Sequence, residues 1–219
     1  MNNNRYFLRT AFVVIAAAAS LTACTGQGAS EPPAAAENSG QPTAVQKGNA
    51  GAVPENQKSL EEAFYAAYKE GSSDQDKVEN MMSLITDLDW KAYGDLRKDV
   101  PLVDETLGYL YRNRSLIKPE HYKAVFSATR NLDGAGSESY AALVSELFWA
   151  DKKAAIHALS VMDDSNRRQS VIGLIAYGLS YKDAKQVKEE IAAWKAGAVL
   201  TSAEQQIVQT LLQAVDDPY

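Results

Sequence analysis

From Gln57 onward the apolar residues recur at the spacing of an α-helix, and this regularity excludes most folds. Leu60, Ala63, Phe64, Ala67 and Tyr68 fall on one helical face. Met81, Leu84, Ile85 and Leu88 repeat the pattern, as do Val187, Ile191 and Trp194. Ile207, Val208, Leu211, Leu212 and Val215 do so again near the C-terminus. No run alternates apolar and polar residues, and the Asp-Gly pair Asp133-Gly134 has no such runs on either side to make it a hairpin turn. Even the apolar run Ser170–Ile175 lies within a longer stretch of helical spacing. The start signals agree: Ser59-x-x-Glu62 and Thr201-x-x-Glu204 have the form of capping boxes. Pro101 and Pro119 suit first turns, and Asp163-Asp164 suits a cap. Gly71, Gly134, Gly136 and Gly197 are placed where helices are expected to stop.

These signals divide the folded part, residues 57–219, into five helical hairpins, at 57–88, 89–117, 118–150, 151–180 and 181–216. Near-even spacing of helix pairs is the signature of stacked repeats, in which each pair buries its apolar face on its neighbours. The segment Asp151–Leu179 (DKKAAIHALSVMDDSNRRQSVIGLIAYGL) resembles a HEAT-type unit, two helices broken at Asp163-Asp164. The resemblance covers about thirty residues and implies an α-solenoid. The expected fold is therefore all-α, stacked hairpins of HEAT-like type, with a compact irregular bundle as the alternative.

The N-terminal part is of another kind. Met1–Arg9 carries two arginines and no acid, and the apolar run Ala11–Leu21 follows. That run is too short for a ~20-residue membrane span and fits the apolar region of a secretory leader. It ends in Leu21-Thr22-Ala23-Cys24, which resembles the lipobox of bacterial lipoproteins. The resemblance implies cleavage after Ala23 and a diacylglyceryl group on the thiol of Cys24. A thiolate suits thioether formation because it is the strongest nucleophile among the side chains. The alternative is an ordinary secretory signal followed by a chance cysteine. Residues 1–23 are thus read as a leader, and 24–56 as the lipidated cysteine and its tether. Thr25–Asn56 is rich in Gly, Ala, Ser, Pro, Gln, Asn and Glu and has no aromatic residue. Such a composition cannot bury enough apolar surface to offset its ordering entropy.

The charge balance and the cysteine count narrow the function. The chain has a formal charge of −6 from 22 basic and 28 acidic residues. Loss of Arg5 and Arg9 with the leader leaves 20 basic residues against 28 acidic, a charge of −8. Sequence-independent binding to nucleic acid needs clustered Lys and Arg, so nucleic acid is not an expected partner. With one cysteine there is no internal disulfide, no C-x-x-C redox pair and no multi-cysteine zinc site. The two histidines, His121 and His157, have no His or Cys at i+3 or i+4, so no metal and no cofactor is expected. His121 reads as solvated at a helix start and His157 as partly buried. Adjacent carboxylates such as Glu61-Glu62 and Glu189-Glu190 diverge by about 100° on a helix, so they do not form a hydrolytic dyad. No catalytic residue is assigned.

Tyr109, Tyr111, Arg112, Arg114 and Tyr122 form the expected interaction surface, because Tyr and Arg combine apolar area with hydrogen-bonding capacity. Trp90, Trp149 and Trp194 read as packing residues. The sequence therefore points to a lipid-anchored envelope protein on the extracytoplasmic face of the cell membrane, or in an outer membrane. Its helical domain would bind a protein or peptide partner. An envelope hydrolase without a recognisable motif is the alternative, and a small-ligand carrier is a third reading that would need an enclosed apolar cavity.

Overall fold

The computed structural model describes residues 58–216. The leader, the lipobox Leu21-Thr22-Ala23, Cys24 and the tether lie outside the described residues. Ten α-helices and no strand are found among the described residues, in the order α1 (Leu60–Lys69), α2 (Asp74–Leu84), α3 (Trp90–Asp95), α4 (Leu102–Arg112), α5 (Tyr122–Ser127), α6 (Gly134–Ala150), α7 (Lys152–Ser160), α8 (Ser165–Leu179), α9 (Ala184–Gly197) and α10 (Ser202–Asp216). The fold is all-α, and each of the five expected segments holds two of these helices. In the fourth, α7 packs on α5, α6 and α10 and makes little contact with α8, so that segment is not a closed hairpin.

Local chemistry sets most of the boundaries. Ser59 and Glu62 exchange the two hydrogen bonds of a capping box at the start of α1. Thr201 and Glu204 do the same at α10, where the Thr201 N–H donates to Glu204 Oε2 at 2.8 Å. Asp164 caps α8 by accepting from the backbone N–H groups of Asn166 and Arg167. Gly134 and Gly136 depart from expectation. Gly134 opens α6 with φ +48°, and Gly136 lies inside that helix. A Cβ on Gly136 would stand 3.1 Å from Val103 Cγ1, so its role is close packing of α6 against α4.

The helices pack in chain order. The second helices form a row in which α4 meets α6, α6 meets α8 and α8 meets α10, while among the first helices α5 meets α7. Hairpin one breaks the order, because α2 and the 3-10 turn Ile85–Asp87 reach past hairpin two to α5. The first helices of hairpins two and three have only six residues each, which leaves that approach open. One apolar core draws residues from all ten helices. At one end Phe64, Trp90 and Tyr93 meet edge to face, with ring centroids 5.3–6.1 Å apart.

Polar groups inside this core are paired. Trp90 Nε1 donates to Ala128 O at 2.6 Å, and the Tyr140 hydroxyl donates to Val125 O at 2.6 Å. Burial pushes the Tyr140 phenol far above its ordinary pKa, so it stays a neutral donor. Tyr140→Phe leaves the Val125 carbonyl without this donor. We expect a loss of about 1–2 kcal/mol, read as a lower urea midpoint with unchanged slope.

Candidate interaction surface

The row of second helices brings their C-terminal ends together, and the aromatic and cationic residues collect there. Arg114 follows α4 and stacks its guanidinium 4.7 Å from the Tyr111 ring centroid. The same side chain donates to Tyr111 O at 2.9 Å and reaches Glu146 of α6, Nε to Oε2, at 3.4 Å. Lys182, just beyond α8, pairs with the other oxygen of Glu146 at 3.4 Å. Its ammonium also lies 5.3 Å from the Trp149 ring centroid, and Lys152 lies 4.1 Å from the same ring. Tyr111, Arg114, Glu146, Trp149, Lys152 and Lys182 thus form one connected strip across the ends of α4, α6 and α8.

The helix ends explain part of this placement. Carbonyls in the last turn have no intrahelical partner, and cations are favoured beside them. Arg114 on Tyr111 O and Lys152 on Trp149 O (3.4 Å) are instances of that rule. Burial lowers the Lys152 pKa, and the Lys182 ammonium lowers it further, while Glu190 acts in the opposite sense.

The five residues named from the sequence separate. Tyr111 and Arg114 belong to the strip. Tyr109 turns the other way: its hydroxyl donates to Asp74 Oδ1 at 2.9 Å and its ring packs on Tyr68. Burial and the neighbouring Asp74 push its phenol up to about 12. Arg112 is exposed and its guanidinium lies back over Gly108, 3.4 Å from where a Cβ there would stand. Tyr122 is buried, with 3 % of its surface exposed, so it belongs to the core and not to a surface. Its ring packs on Phe126 of the same helix, one turn on, which places it on the inward face of α5. Glu146, Trp149, Lys152 and Lys182 were not named for this surface. Trp149 does pack on the core, as read from the sequence, but it is only half-buried and also carries the two lysines.

The histidines also differ from expectation. His121 is largely buried at 18 % side-chain exposure and contacts Glu79 at 3.2 Å, with Lys118 on the other oxygen of that carboxylate. His157 is the exposed one, at 65 %, and contacts Glu204 at 3.3 Å with Lys153 beside it. Each histidine therefore joins a glutamate and a lysine in tying two hairpins together, α2 to the start of α5 and α7 to α10. No group of three His, Cys, Asp or Glu residues among those described is arranged to hold a metal ion. No helix among the described residues is long and apolar enough to cross a membrane. Two grooves of about 410 and 420 Å³ run beside α9 and α10 around Ala192 and Leu212, and both are open to solvent. No family model, curated protein or solved structure matches the chain.

Proposed function

We propose that the chain is a lipoprotein of the cell envelope, anchored through Cys24, whose stacked helical hairpins serve as a scaffold that binds a protein or peptide partner. The observation that carries the binding part is the connected strip of Tyr111, Arg114, Glu146, Trp149, Lys152 and Lys182. Half-buried Trp and Tyr rings with Arg beside them are what interface hot spots are made of. The anchoring part rests on the leader and on the position of the chain's one cysteine. Two acyl chains hold a protein at a bilayer, where one gives only marginal binding.

The test is a crosslinking pull-down from intact cells with a C-terminal tag, with Cys24→Ala protein run beside it. Cys24→Ala is expected to move the protein out of the membrane fraction. One envelope protein is expected to be enriched, and Trp149→Ala with Arg114→Ala to remove that enrichment while the circular dichroism spectrum stays the same. No enriched partner, or one insensitive to both changes, overturns the surface reading. Cys24→Ala protein that stays with the membrane overturns the anchor.

A further inference from the structure

Lys152 and Lys182 converge on one indole, that of Trp149, from the start of α7 and from the turn after α8. Two ammonium groups that share a ring repel one another. Lys182 is compensated by Glu146. Among the described residues Lys152 has no carboxylate within ion-pair distance, its other contact being the carbonyl of Trp149 at 3.4 Å, and only the more distant charge of Glu190 acts in its favour. A third cation, Arg114, lies on the far side of Glu146. Arg114, Lys152 and Lys182 thus face two carboxylates, Glu146 in contact and Glu190 beyond ion-pair distance, which leaves the strip one positive charge in excess in a protein whose net charge is −6.

We propose, resting on the interaction reading above, that this strip takes an acidic segment of the partner protein, with a carboxylate seated between Lys152 and Lys182 against the edge of Trp149. Such a carboxylate relieves the repulsion between the two ammonium groups and accepts the N–H donors that Lys152 leaves free. The basic strip is narrow and the rest of the chain is acidic. A bilayer of anionic lipid presents charge to a whole face and would be repelled by the remainder, whereas a single peptide segment meets only the strip.

The probe is a fluorescein-labelled peptide alternating Glu and Gly, with its Gln-Gly counterpart as control, titrated into full-chain Cys24→Ala protein by fluorescence anisotropy at low salt. The acidic peptide is expected to bind and the Gln peptide not to bind. Lys152→Gln with Lys182→Gln is expected to weaken binding by about tenfold, and added salt to weaken it further. Lys91→Gln with Lys123→Gln removes the same charge elsewhere on the domain and is expected to leave binding unchanged. Equal binding by the two double variants overturns the proposal. So does a failure of the acidic peptide to bind. So does binding to phosphatidylglycerol vesicles that depends on Lys152 and Lys182 when peptide binding does not. A partner lost from the pull-down on Trp149→Ala, together with no peptide binding, would remove the acidic segment and leave the surface. No partner in the pull-down would remove the surface itself.

Discussion

Gly178→Ala is expected to lower stability by about 2–3 kcal/mol, although the same change five residues earlier, Gly173→Ala, is expected to raise it by about 0.5–1 kcal/mol. Gly178 lies in α8 where that helix crosses α6. A Cβ there would stand 2.5 Å from Ala141 O, 2.5 Å from Ser145 Oγ and 2.7 Å from Ser145 Cβ. Ser145 could turn its hydroxyl, at the loss of its bond to Ala142 O. The Ala141 carbonyl is helix backbone and cannot turn, so the helices must separate. Separation loosens the inner packing of Leu143, Val144, Leu147, Ile175 and Leu179. At Gly173 a Cβ meets nothing within 4 Å, and alanine gains its ordinary helix preference. At about 2–4 °C per kcal/mol for a domain of this size, the two variants should melt roughly 5–16 °C apart. Thermal denaturation followed at 222 nm checks this. Variants that melt together would mean that α6 and α8 do not approach this closely.

The second large effect concerns Glu204. Its carboxylate is 2 % exposed, accepts from the Thr201 N–H at 2.8 Å and from Lys153 Nζ at 2.9 Å, and lies 3.3 Å from His157 Nδ1. Burial opposes its ionisation, but Lys153 and the Thr201 N–H outweigh burial and hold the carboxyl at about 2, below its ordinary 4.5. A carboxyl depressed in the folded state binds its proton more readily in the unfolded chain. Its contribution to stability is therefore complete above about pH 4.5 and is lost as pH falls toward 2. Lys153 is half exposed and screened by water, which keeps that contribution to about 2 kcal/mol. Glu204→Gln keeps the shape and an acceptor for Thr201 but not the charge. Its urea midpoint is expected to fall below that of the native chain at pH 7 and to approach it near pH 2. A constant difference between the two proteins at all pH values would assign the effect to shape and not to charge.

Much of the scaffold was determined by local chemistry and was legible in the sequence. The helix divisions follow from capping boxes, Asx caps and the 3.6-residue period, all of which act within one or two turns of helix. Thr201 and Glu204 are three residues apart, so the start of α10 was readable from that spacing alone. The glycines were less readable, because a glycine that stops a helix and one that lets two helices touch are the same residue. Gly136 and Gly178 reveal their role only when Val103 and Ala141 stand opposite them.

The candidate surface was legible at one end only. Tyr111 and Arg114 stand out because they are close in sequence and chemically suited to an interface. Nothing local distinguishes Tyr122 from them, yet the inward face of α5 buries it. Glu146, Trp149 and Lys152 are neighbours in the chain, with Lys152 three residues beyond Trp149, but Arg114 and Lys182 reach them only because α4, α6 and α8 end side by side. The sequence by itself determined that the fold is all-α, where the capped helices begin and which faces are apolar, since those follow from interactions between near neighbours in the chain. Which consecutive helices close into hairpins was not among them, as α7 and α8 show. Which ends come together, which tyrosine is buried and which lysine lacks an acid were decided by tertiary packing, because those depend on residues brought close by the hairpins between them.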